Sequence, residues 1–328
     1  MKKILIIRFS SIGDIVLTSP VIRCIKKQLP QVELHFATKR AYCSLLDSNP
    51  YIDHIHLLDN NLKELISKLQ DEQFDMIIDL HNNLRSHFIT FCLRKKTRRV
   101  NKLNFKKWLL VNTKINILPD VHIVDRYFNA TAGLGIKNDL EGLDFFINKN
   151  IEFNNLSLPY TFKFNFVAWV IGGKHDTKIF PVDKIISVCK IINVPVILLG
   201  DSSDKKRGDV IAEAGNSIYN ATGIYSLQES AAIIKNASVI ITNDSGLMHI
   251  AAAFQKNIIS LWGSTVKDFG MYPYLPQSAN KFKIIEVKNL KCRPCSKLGY
   301  SKCPKRHFKC MNDIRENEIS EAVKKYLM

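Results

Sequence analysis

Short apolar runs alternate with segments of helical periodicity along the first half of the chain. The runs predict buried strands over 3–9, 32–37, 55–58 and 76–80, with a helix over 61–70. Leu17, Val21 and Ile25 recur at helical spacing, which predicts a helix over 12–29. Pro20 is expected to kink that helix or to lie in its first turn. Strands separated by helices of this length predict βαβ crossovers and a parallel sheet.

The alternation restarts after a polar, Asn-rich stretch over 148–157, which is the predicted linker. The second half predicts strands over 166–171, 195–199, 238–242 and 257–262, and helices over 182–192, 226–236 and 313–328. Two successive α/β patterns predict two Rossmann-like domains facing each other across a cleft. We place the N-terminal domain at 1–155 and the C-terminal domain at 156–328, the latter including the cysteine-rich segment 292–310 and the terminal helix.

Composition supports a folded protein with an acidic partner. Of the 328 residues, 46% are hydrophobic and 23% charged, which provides a large core. Lys and Arg number 47 against 30 Asp and Glu, a net charge of +17, which favours nucleic acid, a phosphorylated glycolipid or an anionic membrane. The N-terminal apolar run stops at Arg8, too short for a signal peptide, and no run has the ~18–20 residues of a spanning helix. We therefore expect a cytoplasmic protein.

In open α/β sheets ligands bind beyond the carboxyl ends of the strands, so the strand-to-helix turns are the candidate sites. The first turn, FSSIGD over 9–14, lacks the spacing of a dinucleotide fingerprint. It places Asp14 at the start of a helix. One interpretation is a helix cap, worth about 1 kcal/mol. The other is a general base facing the cleft.

Two turns of the second half have features of phosphate sites. In the turn over 242–249, Ser245 and Gly246 precede an apolar helix, and backbone N–H groups at such a start attract phosphate. His249 lies one turn into that helix, either as a structural residue or as a donor to phosphate. In the turn over 172–181, glycines permit close backbone approach and lysines neutralise a leaving phosphate. The spacing there is not that of a Walker A loop, and a solvated basic loop is the alternative.

These turns together resemble the ADP-heptose:lipopolysaccharide heptosyltransferase family, glycosyltransferase family 9. The resembling blocks are RFSSIGDIVLTSPVI, NPYIDHIHLLD, FDMIIDLHNNLRS, TKIFP and, most specifically, ITNDSGLMHIAAAF followed by ISLWGST. The resemblance extends from Ile4 to the cysteine-rich segment. It implies a GT-B fold, with the acceptor mostly on the N-terminal domain and the nucleotide sugar mostly on the C-terminal one. It also implies an inverting, metal-independent transfer that requires no cofactor.

The resemblance implies roles for individual residues. Asp14 would deprotonate the acceptor hydroxyl, Lys178 would contact the donor diphosphate, and Asp244 would contact the donor sugar or orient the site. The remaining implied donor-binding residues are Gly173, Lys174, Ser245, Gly246, Leu247, His249 and Thr265. The candidate acceptor-binding residues are Ser11, Gly13, Arg85, His122 and Arg126. Where some relatives carry two threonines, this chain has Gly173 and Lys174, so backbone N–H groups and a lysine would replace those hydroxyls.

A dense basic stretch lies in the N-terminal half. It comprises residues 94–99 of sequence RKKTRR, together with Lys102, Lys106 and Lys107. It is either a solvated face or a surface for a lipid A–Kdo core acceptor and an anionic inner leaflet, where each basic residue contributes about 1 kcal/mol. The nearby Phe105, Trp108, Leu109 and Leu110 are expected either in that interface or in the core. The second interpretation predicts a peripheral protein on the inner face of the inner membrane.

The last cysteines have the spacing C-x2-C-x7-C-x6-C. They are Cys292, Cys295, Cys303 and Cys310, and four thiolates would hold a structural zinc ion or an iron–sulfur cluster. Reduced, packed thiols are the alternative, and they suit a chain with eight cysteines and no secretion signal. The other four, Cys24, Cys43, Cys92 and Cys189, lie in apolar patterns and are predicted core residues.

Two other functions are compatible with parts of the sequence. A transferase of the same fold could use another nucleotide sugar or another acceptor glycan. A nucleic-acid-binding protein would suit the charge, but the aromatic residues do not interleave with basic ones and no helix-turn-helix or RNA-binding motif appears. No DxD-like pair follows a strand, in keeping with the absence of a catalytic metal. Heptose transfer without a nucleic-acid partner is the function we expect.

Overall fold

The computed structural model describes residues 2–328, which form two compact units. The first unit extends to Leu103 and resumes over Val121–Asn148, and the second comprises Asn104–Asp120 and Lys149–Met328. The segment 104–120 thus belongs to the second unit, although the sequence prediction placed it in the first domain. Its side chains show why: Lys114 Nζ donates to Pro294 O at 2.7 Å and Asn116 Nδ2 to Asp268 Oδ1 at 2.7 Å. These partners are far away in sequence, so no local pattern indicated them.

The first unit is a five-stranded parallel sheet with the order β3-β2-β1-β4-β5. Its strands are β1 (Lys2–Ile7), β2 (Val32–Lys39), β3 (His54–Leu58), β4 (Met76–Asp79) and β5 (Lys96–Arg99). Its helices are α1 (Ile12–Val16), α2 (Ser19–Gln28), α3 (Leu62–Asp71), α4 (Leu84–Leu93) and α6 (Ile123–Asn129), while α5 (Asn104–Thr113) belongs to the second unit.

The apolar runs form strands that are covered on both faces. Residues 4–7 of β1 are fully buried, as a central strand of a parallel sheet requires. The single helix predicted over 12–29 is wrong, because α1 ends at Val16 and α2 begins at Ser19. Pro20 lies in the first turn of α2, where its missing N–H would have had no helical partner.

The second unit is a six-stranded parallel sheet with the order β11-β10-β9-β6-β7-β8. Its strands are β6 (Val167–Val170), β7 (Val196–Leu199), β8 (Ile218–Asn220), β9 (Val239–Asn243), β10 (Asn257–Trp262) and β11 (Phe282–Glu286). Its remaining helices are α7 (Val182–Ile192), α8 (Lys205–Ala212), α9 (Leu227–Asn236), α10 (Gly246–Ala253), α11 (Lys309–Asn312) and α12 (Glu316–Leu327). The α/β architecture predicted for each half is confirmed.

The strands that the sequence pattern missed are the edges β5, β8 and β11. Of these β5 reads KTRR and has no apolar periodicity, so only its pairing with β4 makes it a strand. The C-terminal helix predicted over 313–328 is confirmed as α12, which buries Ile319 and Val323 in the core of the second unit, and the short α11 precedes it. Among residues 2–328, no helix has both the length and the apolar character needed to cross a bilayer.

Candidate active-site residues

Asp14 lies in the first turn of α1, directly beyond the carboxyl end of β1. Its Oδ1 accepts a hydrogen bond from Arg8 Nη2 at 2.5 Å. Its Oδ2 accepts from Ser11 N at 3.2 Å and from Ser11 Oγ at 2.9 Å, which caps the helix start. The side chain is still 22% exposed. Both interpretations of Asp14 therefore fit the geometry, because the carboxylate caps α1 and part of it is exposed.

Arg8 is the partner that sequence analysis missed. Its side chain is only 7% exposed, and its Nε and Nη1 donate to Ser10 O at 2.8 Å and to Leu80 O at 2.5 Å. The guanidinium also lies over the ring of Tyr127, 5.9 Å from the centroid. A charged residue ending an apolar strand run was the available signal, because a buried arginine requires an anionic partner.

The environment of Asp14 keeps its carboxyl group ionised. Burial alone would raise the pKa, but the positive charge of Arg8 and the hydrogen bonds from Ser11 outweigh it. The pKa of Asp14 therefore lies below its ordinary value of 3.8. At neutral pH the group is a carboxylate, the form that accepts a proton.

His81 is a second residue that the sequence analysis did not single out. It follows β4, and its ring packs edge-on against Phe9 with centroids 5.5 Å apart. Burial and the charge of Arg8 lower the pKa of His81 to about 3, so the imidazole is neutral. Its backbone N donates to Asp79 Oδ1 at 3.0 Å within the turn beyond β4, and this turn lies beside the turn beyond β1 because β4 and β1 are neighbouring strands.

The predicted acceptor-side residues fall into two groups. Ser11 and Arg85 are exposed, Ser11 beside Asp14 and Arg85 in the first turn of α4, while Gly13 is buried within α1. His122 and Arg126 are both buried. His122 is the N-cap of α6, and its Nδ1 accepts from Val124 N at 3.2 Å. The structure therefore brings Ser11 to Asp14 and gives His122 a helix-capping contact.

In the second unit, the carboxylate of Asp244 connects three strand-to-helix turns through hydrogen bonds from Lys178 and Thr265. Lys178 Nζ donates to Asp244 Oδ2 at 2.6 Å, and Thr265 Oγ1 donates to the same oxygen at 2.8 Å. Lys178 follows β6, Asp244 follows β9 and Thr265 follows β10. Because β10, β9 and β6 are neighbours and parallel, their carboxyl ends meet at one edge of the sheet.

Asp244 is held as an anion. Burial would raise its pKa, but the charge of Lys178, the hydrogen bonds from Lys178 and Thr265, and His249 together lower it below 3.8. His249 lies buried on α10, the helix that begins directly after Asp244. The side chains of Lys178 and Asp244 are 16% and 14% exposed. The two charges thus remain partly open to a ligand.

The start of α10 has no side-chain cap. Its N-cap residue is Ser245, whose Oγ lies 3.1 Å from Thr242 Oγ1 and makes no bond to a first-turn N–H. The helix continues through Gly246 and Leu247, both half-buried. The first-turn N–H groups of α10 are therefore not satisfied by the N-cap side chain, as a phosphate site requires.

The glycine turn after β6 is shaped by close packing. Position 172 accommodates glycine because a Cβ on that residue would lie 2.0 Å from Asp204 Oδ2, closer than van der Waals contact allows. Gly173 is half-buried and Lys174 exposed. Asn243, which sequence analysis missed, donates from its buried Nδ2 to Gly172 O at 3.2 Å and so ties this turn to β9.

A scan against family models matches residues 62–302 to "Glycosyltransferase family 9 (heptosyltransferase)". The match covers well over half of the chain. The chain belongs to glycosyltransferase family 9. It is therefore a glycosyltransferase, as the resemblance implied.

Some relatives of this glycosyltransferase are similar over nearly their whole length. Lipopolysaccharide heptosyltransferase 1 of Campylobacter coli is 24% identical over 350 residues, covering 98% of this chain and 98% of the relative. The structure of E. coli ADP-heptose lps heptosyltransferase II aligns with a TM-score of 0.77 at 21% identity, covering 100% and 98%. E. coli heptosyltransferase WaaC with ADP aligns with a TM-score of 0.70 at 16% identity, covering 99% of each chain. The predicted GT-B fold is confirmed.

In this glycosyltransferase, the cysteine-rich segment holds the turns of the Lys178–Asp244–Thr265 group. Arg293 Nε donates to Gly263 O at 2.6 Å and its Nη2 to Thr265 O at 2.8 Å. Its Nη2 also bonds Glu286 Oε2 at 2.7 Å. Thr177, next to Lys178, accepts at its Oγ1 from Tyr300 N at 2.8 Å. Sequence analysis considered this segment only for its cysteines and missed Arg293.

The thiols of Cys292, Cys295, Cys303 and Cys310 lie close enough for their charges to act on one another. Cys292 Sγ lies 3.8 Å from His307 Nε2, and Cys295 Sγ donates to Cys292 O at 3.3 Å. Cys310 instead packs in the apolar core of the second unit. Burial raises the pKa of the Cys295 thiol to about 11 and that of Cys310 to about 12. Among residues 2–328, every group of three or more potential ligand atoms within 4.8 Å of one another consists of histidine and glutamate. Packed, reduced thiols and a metal ion held by these four cysteines both stay predictions.

Proposed function

We propose that this glycosyltransferase moves heptose from ADP-heptose to the inner core of lipopolysaccharide with inversion, using Asp14 as the general base. The observation that carries the proposal is the ionised, partly exposed Asp14 paired with Arg8 beyond β1. Relatives named as lipopolysaccharide heptosyltransferases, one of them solved with ADP, supply the donor and acceptor classes.

The base step follows from the chemistry of the two groups. The acceptor oxygen attacks the anomeric carbon, the bond from that carbon to the diphosphate breaks, and the hydroxyl proton passes to Asp14. A carboxylate stabilised by Arg8 is a weak base, so it takes the proton only as the new C–O bond makes the hydroxyl acidic. A carboxylate offers about four lone-pair positions, and the hydrogen bonds from Arg8 and Ser11 leave room for a substrate hydroxyl.

The leaving diphosphate requires positive charge. Lys178 has three N–H donors and uses one on Asp244, so two remain for phosphate oxygens. Asp244 holds the lysine in place, and Thr265 orients Asp244. Lys174 and the first-turn N–H groups of α10 add to this set. We propose that these groups, with Gly173 beside them, replace a catalytic metal ion.

The acceptor is proposed to be an anionic lipid A–Kdo core at the inner face of the inner membrane. On α4 of the first unit, the exposed residues Leu84, Phe88 and Phe91 recur at helical spacing and precede the basic residues 94–99. On α5 of the second unit, Phe105 and Trp108 are also exposed. Exposed apolar residues next to lysines and arginines are typical of surfaces that bind anionic lipid.

The test is transfer from ADP-L-glycero-D-manno-heptose to a Kdo-containing lipid A acceptor, read by mass spectrometry of the acceptor. We expect a gain of one heptose and, by NMR of the product, an inverted anomeric configuration. A gain only with a different nucleotide sugar would overturn the donor and retain the fold. No gain with any nucleotide sugar, combined with stabilisation by oligonucleotides and none by ADP, would favour a nucleic-acid-binding protein.

Arg293→Lys should raise the KM for the donor by about 10-fold, with a smaller change in kcat. A lysine retains the charge but not the planar fork, so the hydrogen bonds to Gly263 O and Thr265 O are not both made. Losing one or two such bonds corresponds to roughly 1–2 kcal/mol. Steady-state kinetics with varied donor concentration measure the change in KM and the change in kcat separately. The control is Arg40→Lys, which changes an arginine paired with Asp59 in the first unit and should leave KM unchanged. An equal effect on both would refute the positioning role.

A further inference from the structure

Three histidines and two glutamates cluster on one face of the first sheet, where the strands begin. The group comprises Glu33, His35, His54, His56 and Glu72, and we refer to it as the His–Glu cluster. Residues two apart on a strand share a face, so Glu33 and His35 of β2 point the same way, as do His54 and His56 of β3. The register pairs His35 with His54 and Glu33 with Lys3 of β1. The cluster therefore lies at the opposite strand ends from Asp14, and the proposed transfer does not use it.

We propose that His35, His56 and Glu72 bind a divalent transition-metal ion such as Zn²⁺, and that Glu33 orients His35. The His35 Nδ1 and His56 Nε2 atoms are 2.9 Å apart, and an oxygen of Glu72 lies within 4.8 Å of both. Zinc–nitrogen bonds are about 2.0–2.1 Å long, so one ion reaches both nitrogen atoms with an angle near 90° and modest adjustment. Two imidazoles and one carboxylate are a donor set that Zn²⁺ accepts, with water as the fourth ligand.

The surroundings of His35 fit those of a metal ligand. Its second ring nitrogen, Nε2, lies 3.0 Å from Glu33 Oε1, so the proton on Nε2 is held by the carboxylate and the lone pair of Nδ1 points toward His56. Carboxylates commonly hold metal-binding histidines in this way.

The other charged groups that face the cluster limit its affinity. Lys3 Nζ donates to Glu72 Oε2 at 2.7 Å and lies 3.6 Å from Glu33 Oε1. This contact leaves the second carboxylate oxygen of Glu72 available to a metal ion, while the positive charge of Lys3 opposes the binding of a cation to Glu72. His54 Nε2 lies 3.1 Å from Glu33 Oε1. On the inner side, the edge of Phe74 packs against the rings of His35 and His56. An ion would approach through the half-buried Glu72.

The same distances also describe a metal-free chain of hydrogen bonds from His56 through His35 to Glu33. The two cases differ in what added metal does. A metal site takes up one equivalent of ion and gains stability from it, whereas a hydrogen-bonded chain gains none. They also differ in the role of Lys3, whose removal tightens binding of a cation.

The experiment is a titration of the full metal-free chain with Co²⁺, followed by visible absorption and by thermal unfolding, with Zn²⁺ as competitor. We expect one equivalent bound with the spectrum of nitrogen and oxygen ligands and without a thiolate charge-transfer band. His56→Gln and Glu72→Gln should abolish this spectrum, and Glu33→Gln should weaken affinity by about 10–100-fold. Lys3→Met should strengthen it. The matched control is His87→Gln, at an exposed histidine of α4 outside the cluster, which should bind as the parent chain does.

Several results would overturn the proposal. One is a parent chain without the nitrogen–oxygen spectrum, or one that binds Co²⁺ only with a thiolate band. Another is full binding by His56→Gln with an unchanged unfolding temperature in metal-free buffer. Loss of binding in His54→Gln together with retention in His56→Gln would move the ion to the other side of His35 and refute this ligand set. Variants are compared only where their metal-free unfolding remains cooperative. Because Glu72 is half-buried, we expect Glu72→Gln to fold, so its loss of metal binding tests the ligand set.

Discussion

Replacing Asp14 by asparagine should lower kcat for heptose transfer by about 10²–10⁴-fold, the usual contribution of a positioned general base. The amide has the same shape as the carboxylate, and its oxygen still accepts the hydrogen bond from Arg8. It does not take up the proton of the acceptor hydroxyl, so the chemical step loses its base. The measurement is initial-rate kinetics with saturating donor and acceptor.

A loss of activity must be separated from a loss of fold. Asp14→Asn leaves the buried Arg8 without its counter-charge, so the free energy of unfolding should fall by roughly 1–3 kcal/mol. Asp139→Asn is the matched control, because Asp139 is 20% exposed and pairs at 2.7 Å with Arg23, which is 2% exposed. It should lose similar stability and keep transfer. Asp14→Asn with transfer close to that of the parent chain would return Asp14 to a capping role.

The pH profile of the parent chain gives a second measure of the same base. The pKa of Asp14 lies below 3.8, so the carboxylate is protonated only when the pH falls through that lowered value. The ion pair of Asp14 contributes its full stability above pH 3.8, the ordinary pKa of the group. That contribution is lost as the pH falls below 3.8 and through the lowered pKa of the folded state. Between pH 8 and pH 5, kcat/KM should therefore show no acid limb from Asp14. A limb near pH 6 would identify a different base.

Lys178→Ala should lower kcat/KM for ADP-heptose by about 10²–10³-fold, comparable to the loss of one donor that stabilises a developing anion. The substitution removes the charge that faces the leaving diphosphate. It also leaves Asp244 as an unpaired carboxylate, which repels the same diphosphate. Donor kinetics measure the loss, and the rise in unfolding temperature caused by ADP should become smaller.

Lys184→Ala provides the comparison for Lys178. Lys184 is 14% exposed and pairs with Glu316 at 2.9 Å, whereas Lys178 is 16% exposed and pairs with Asp244 at 2.6 Å. Both variants remove one half-buried lysine and its ion pair from the second unit. Only Lys178→Ala should change donor kinetics. Equal kinetics in the two variants would remove Lys178 from the proposed donor site.

The two arginines beside the proposed site residues, Arg8 and Arg293, were missed for different reasons. Asp14 and Asp244 were predicted because each follows an apolar strand run, a local pattern. For Arg8, the charge at the end of an apolar strand run was a readable signal, but its pairing with Asp14 depends on how the chain turns after β1. Arg293 was missed because the backbone groups it bonds belong to the turn after β10, about 30 residues earlier in the sequence.

The sequence by itself determined the alternation of strands and helices, the family, and the turns that carry Asp14, Lys178 and Asp244. These follow from local periodicity and short motifs, which are readable within a window of about 10–18 residues. Only the tertiary structure decided the order of strands, and with it every contact between distant segments. Pairing with β4 makes the polar segment KTRR the strand β5. The fold also places His35 Nδ1 2.9 Å from His56 Nε2, although the two residues are 21 positions apart in the sequence. The physical reason is that sheet pairing and register are set by the packing of the whole unit, which no single segment encodes.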